Sequence, residues 1–127
     1  MTEYLRPKWN ITLCMYSHSS YSDAWPCFFS QCDKFMSHYP KALFTDSCPI
    51  DVPEDWTVIE YDDSQSYSER VAGCLEKIKT KLCFFHHEDM FLYDKPDYDI
   101  LDKYEQIVLD DTEVDFVRLL RGVDLPL

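Results

Sequence analysis

Glycine is almost absent from this sequence, with 2 in 127 residues, and cations are scarce, with 12 Lys and Arg against 24 Asp and Glu. The formal net charge of −12 argues against passive binding to nucleic acid or to an anionic membrane surface, because gripping phosphates depends on Lys and Arg to release counterions. A phosphate-bearing ligand would need a metal cation as intermediary. No apolar run approaches the ~20 residues that span a bilayer, and Met1 to Asn10 carry no hydrophobic signal-peptide core. The chain therefore reads as cytoplasmic, with no transmembrane segment. Internal repeats, low-complexity tracts and interdomain linkers are also lacking.

What is there is core material. Hydrophobic residues make up 46% of the chain and aromatic ones 16%, which excludes a disordered acidic tail. The length fits a single domain over residues 1–127 that buries roughly two-thirds of the surface its unfolded chain exposes. Cys14, Cys27, Cys32, Cys48, Cys74 and Cys83 sit among apolar residues, and no C-x2-C pair occurs. They read as reduced, mostly buried thiols in preference to a disulfide framework or a structural zinc site.

Along the chain, strands and helices alternate. Ile11-Thr-Leu-Cys-Met-Tyr16 predicts a buried strand, and Ser17-His-Ser-Ser20 a strand end feeding a helix cap. From Asp23 to Tyr39 the spacing of Trp25, Phe28, Phe29, Cys32, Phe35 and Met36 predicts an amphipathic helix with Pro26 in its first turn. Lys41 to Thr45 and Trp56 to Tyr61 are expected strands, separated by turn residues and a loop. Ser66 to Lys79 is an expected helix whose stripe is Val71, Cys74, Leu75 and Ile78, with basic residues in its last turn. Lys81-Leu-Cys-Phe-Phe85 reads as a central strand covered on both faces. A helix from Asp97 to Leu109 and a last strand from Asp115 to Leu120 follow. The expected fold is α/β, a three-layer sandwich around a mostly parallel central sheet.

In open α/β sheets, ligands bind beyond the carboxyl ends of the strands. That rule selects Ser17 and His18, Asp46, Asp62 and Asp63, and His86 to Asp89. Most are acidic, and adjacent carboxylates at a strand end are costly without a cation, whereas Mg2+ or Mn2+ removes that cost and bridges to a phosphate. Asp46, Asp62 and Asp63 read equally well as solvated turn formers. Glu88-Asp89 sits between apolar Leu82-Phe85 and Met90-Leu92, which favours function there. His86 and His87 read as metal ligands, a base or polar edge residues. Arg70 reads as a surface ion pair or a diphosphate contact. Trp9, Tyr16, Tyr21 and Trp25 could stack a base, but aromatics at these spacings read first as core.

The stretch from Ser66 to Leu92, with Arg70 early in its helix, a buried strand next and then His86-His-Glu-Asp89, resembles the core of the nucleotide-sugar glycosyltransferases of the GT-A fold. There a helix with an early Arg leads to a strand ending in a D-x-D motif that holds Mn2+ or Mg2+ on the donor diphosphate. The resemblance implies a metal held by Asp89 and Glu88 in a DXD-like motif whose first acidic position is His87. It implies nucleotide-sugar contacts from Ser17, His18, Asp46, Asp62, Arg70 and Glu88, with His87 as a catalytic candidate. Arg118-Leu119 is similar to an Arg-Leu pair of some members. The implied activity is metal-dependent transfer of a glycosyl group from a nucleoside diphosphate sugar to an unknown acceptor. The similarity covers the nucleotide-binding half, and family members generally continue further, with the acceptor half. The alternative is a truncated, non-catalytic glycosyltransferase-like module acting in binding or regulation, with a partner chain supplying the acceptor half.

Overall fold

Six consecutive β-forming residues build β1, Ile11–Tyr16, every one of them buried. Its neighbours are β2, Lys41–Thr45, and β4, Leu82–His87, and β3, Trp56–Glu60, pairs with the far side of β2. The computed structural model describes residues 8–90, 92 and 94–119. These fall into two compact units, Met1–Lys95 and Pro96–Leu127. The first unit holds the sheet, ordered β3-β2-β1-β4 and parallel at every pairing.

Parallel strands need covering on both faces, and two α-helices among the described residues of this unit cover one face each. Helix α1, Trp25–Phe35 with Pro26 at its start, buries Trp25, Phe28, Phe29 and Cys32. Its rings meet Trp56 and His86 on the face that also carries Leu13, Met15 and Leu43. Helix α2, Tyr67–Leu75, lays Val71, Cys74 and Leu75 on the opposite face, against Cys14, Tyr16, Phe44 and Ile59. Lys41 is buried at the amino end of β2, where its ammonium donates to the Tyr39 carbonyl at 3.0 Å and pairs with Asp55 at 3.1 Å. That pairing is what makes a buried cation tolerable. The six cysteines are unpaired; Cys14, Cys32 and Cys74 are buried, Cys83 is half-buried, and Cys27 and Cys48 are exposed. Burial pushes the Cys32 thiol up to about 12.

Several expectations are corrected. The helix expected from Asp23 starts with a 3-10 segment, Ser19–Ala24, and α1 ends at Phe35. Helix α2 stops at Leu75, because Lys77 and Ile78 bond back to Cys74 and Leu75 in tighter turns. The chain must then extend, and Thr80, hydroxyl-bonded to Thr12, leads into β4. Lys77 and Lys79 are therefore not in a helical last turn. Strand β4 starts one residue later than expected and ends two residues later, taking in His86 and His87, since its ladder with β1 continues to the Tyr16–His87 pair. Trp9 and Tyr21 are exposed, whereas Tyr16 and Trp25 belong to the core.

In the second unit, helix α3, Tyr98–Asp110, is capped by the Asp97 carboxylate, which accepts from the Ile100 N–H. Residues 115–119 are irregular where a strand was expected, so Arg118 and Leu119 are not strand residues. A β-rich composition reports fit to a pleated surface and makes no strand without a ladder. Leu120, the end of that expected strand, and Phe91 lie outside the described residues, as do residues 1–7.

Candidate functional site

The chain runs from β1 through α1 to β2 and on to β3, then returns through α2 on the other face to place β4 on the opposite side of β1. This reversal is a topological switch point, and the crevice it opens lies at the carboxyl ends of β1 and β4. Ser17-His18 follows one of those ends and Glu88-Asp89 the other, and Tyr16 and His87 are paired in register just before them. The order β3-β2-β1-β4 is also how the doubly wound dinucleotide-binding sheet begins.

After β1, β2 and β3 the polar side chains tie to one another. The His18 ring accepts the Ser20 backbone N–H at Nδ1, 3.1 Å away, so its Nε2 is the protonated nitrogen in the neutral ring. That N–H points at Asp63 Oδ2 (3.0 Å) and Asp46 Oδ2 (3.3 Å). Asp46 also accepts the Ser19 backbone N–H at 2.7 Å, the Ser19 hydroxyl at 2.9 Å and the Thr45 hydroxyl at 3.2 Å. Partial burial pulls its pKa up, but the Ser19 donors, His18 and Thr45 outweigh it and hold the carboxyl below its ordinary value. Asp63, one residue beyond Asp62, joins this group. Its signal was present in the Asp62-Asp-Ser64 turn, but nothing in the spacing distinguished the two acids.

Ser17, expected at the ligand, is buried instead. Its hydroxyl accepts the Trp25 indole N–H at 2.8 Å and its carbonyl accepts the Tyr61 hydroxyl. Asp62 closes its own turn, accepting the Ser64 hydroxyl (2.7 Å) and N–H (2.9 Å); those two bonds hold its carboxyl low. Arg70 clamps the loop ahead of α2. Its guanidinium donates to the carbonyls of Gln65 and Asp63, both at 2.9 Å, and to the Tyr16 hydroxyl at 3.3 Å. It also stacks 5.5 Å from the Tyr61 ring centre and lies 3.6 Å from the Asp63 carboxylate.

Around the β4 end the picture changes. Tyr67, in the first turn of α2, meets His87 Nε2 through its hydroxyl at 3.1 Å, and the rings of Tyr61, Tyr67 and His87 surround Tyr16 at 5.1–5.5 Å. Tyr67 was missed in the sequence, although its place beside the Ser66 cap marks a helix start aimed at the carboxyl edge. His86 points to the other face, against Phe28, with its buried Nδ1 unpartnered, and burial lowers its pKa. The chain turns at Glu88 and Asp89, closed by Met90 N–H on the His87 carbonyl. Glu88 is half-buried and Asp89 exposed. Neither carboxylate bonds to another described residue.

The two acidic groups differ in fitness for a divalent cation. His18, Asp46 and Asp63 are the one set of three ligand atoms, among the described residues, lying within 4.8 Å of each other. A cation there would take the Nε2 lone pair, move the ring proton to Nδ1 and lose the bond from Ser20. The Glu88-Asp89 turn offers carboxylates that no described residue engages, the donor set that Mg2+ or Mn2+ uses with one or two carboxylates and ligand phosphates. The structure does not bring these two into the His18 group. Among the described residues no helix is long and apolar enough to cross a membrane. Comparison with protein-family models, with curated proteins and with solved structures returned no match.

Proposed function

We propose that this chain is a GT-A-like nucleotide-sugar-binding domain that holds a nucleoside diphosphate sugar at the β1/β4 switch point through Mn2+ or Mg2+ and transfers its glycosyl group to an acceptor. The observation that carries the reading is the register of β1 and β4. It sets the Ser17-His18 and Glu88-Asp89 strand ends side by side, at the end of a strand that follows a helix with Arg70 in its first turns. Asp89 and Glu88 would hold the cation, which when bound offsets charge growing on the leaving diphosphate. The exposed face of Tyr67 offers a stacking surface beside His87. The Tyr67 hydroxyl orients the His87 ring, which can hold or accept a proton at this edge. Calorimetric titration of the chain with UDP- and GDP-sugars, with and without Mn2+, tests the reading. Metal-dependent binding that Asp89→Ala abolishes is the expected result, and binding that ignores both metal and Asp89 would refute it.

One observation favours the non-catalytic reading. Ser17, Asp46, Asp62 and Arg70 all spend their polar atoms on internal bonds, leaving few groups for chemistry. A module that binds a donor or a partner chain without turnover needs no more than this. Release of free nucleoside diphosphate on incubation with donor would exclude it.

A further inference from the structure

Strand β4 has the sequence of a central strand and the position of an edge strand. Leu82-Cys-Phe-Phe-His-His87 contains no Pro, Gly or charged residue, the usual devices that blunt an edge, yet among the described residues it ends the sheet, and all six of its residues are only half-buried. The β1 residues beside it are all buried. Leu82 N–H donates to the Asn10 carbonyl at 2.9 Å, so strand alternation turns the backbone groups of Leu82, Phe84 and His86 toward β1. Those of Cys83, Phe85 and His87 face outward. Among the described residues, the one backbone bond reaching them is Met90 N–H on the His87 carbonyl, an oxygen with a second lone pair. The charges flanking the strand are polarised: Lys77, Lys79 and Lys81 precede it, and Glu88 and Asp89 follow it.

We propose that β4 is a dimer interface, pairing antiparallel with β4 of a second copy of this chain about a two-fold axis. An antiparallel partner brings the basic end of one strand to the acidic end of the other, whereas a parallel copy would set like charges together. With the axis at Phe85, Cys83 lies opposite the partner's His87, Lys81 comes beside the partner's Glu88-Asp89 turn, and about six backbone hydrogen bonds join the strands. The interface is self-complementary and closes at two copies, which protects the edge from open-ended addition. It also sets lysines beside the Glu88-Asp89 turn of each copy. The inference shares the Glu88-Asp89 turn with the donor-binding reading, but its readout, self-association in the absence of metal and donor, is separate from it.

Sedimentation velocity of the full chain over micromolar concentrations tests it, with hydrogen exchange on the same samples. The expected species has twice the 15.2 kDa chain mass, and the amides of Cys83, Phe85 and His87 become protected as concentration rises. Lys81→Glu and Asp89→Lys should each weaken the dimer about tenfold, and the double variant should regain it. A chain that stays monomeric, a dimer indifferent to the charge reversals, or a double variant weaker than either single one overturns the proposal.

Discussion

The two ends of the carboxyl edge use the same residue types to opposite effect. After β1, β2 and β3, the acids Asp46, Asp62 and Asp63 are met by donors from Ser19, Thr45, Ser64, His18 and Arg70. After β4, Glu88 and Asp89 stand on a turn closed by a single backbone bond. What decides is the supply of nearby donors: serines follow β1 and β3, and none follows β4. The first group stabilises the fold, and the second has lone pairs left for a ligand.

The largest test of this contrast removes the support of the first group. Trp25 is fully buried and donates to Ser17, which in turn carries His18. Trp25→Ala should cost about 3–5 kcal/mol of stability, read from urea denaturation. A loss below about 1 kcal/mol would mean that the β1 end is not anchored through this ring. Next in size is a direct comparison of acids. Asp46→Ala leaves the Ser19 N–H and hydroxyl without their acceptor and should cost about 1–3 kcal/mol, whereas Asp89→Ala should change stability by less than about 0.5 kcal/mol while removing metal-dependent donor binding. Equal stability losses in the two variants would erase the distinction.

Acid titration separates the groups by a third route. His86 is held neutral by burial, so below its ordinary value of 6.5 the unfolded chain binds a proton that the folded chain refuses. Its contribution is complete above 6.5 and is lost as pH falls toward the lowered pKa. Asp46 has the same sign at lower pH, because its carboxylate is favoured in the folded chain. Its contribution is complete above 3.8 and is lost as pH falls through its depressed pKa. Denaturation midpoints followed downward from neutral pH should therefore drop in two stages. His86→Phe should flatten the first stage and Asp46→Asn the second, and a single stage unaffected by either would count against both assignments.

Much of the scaffold was legible because it rests on local pattern. Strands β1 and β2 follow from apolar runs bounded by turn residues, and the α1 stripe of Trp25, Phe28, Phe29 and Cys32 follows from helical spacing. The irregular residues 115–119 show the limit, since Phe116, Val117 and Leu119 have strand chemistry but a strand needs a ladder to exist. The site was legible to the level of strand ends and no further. Spacing could nominate Ser17, Asp46, Asp62 and Arg70, but only three-dimensional placement could show that their polar atoms are already engaged. Tyr67 entered only through its contact with His87, 20 positions away in sequence, and Asp63 was set apart from Asp62 only by its contact with His18, 45 positions away.

The smallest effect carries the finest discrimination, between neighbouring acids that the sequence could not separate. Asp62 binds only its own turn through Ser64, and asparagine makes the same turn with a neutral side chain. Asp63 faces His18 and Arg70. Asp62→Asn should therefore leave both the fold and donor affinity unchanged, while Asp63→Asn should loosen the His18 ring and the loop that Arg70 clamps, visible as faster amide exchange at Ser20 and Gln65. Loss of donor affinity in Asp62→Asn would return Asp62 to the ligand groups and show that an acid can close its own turn and still serve the crevice.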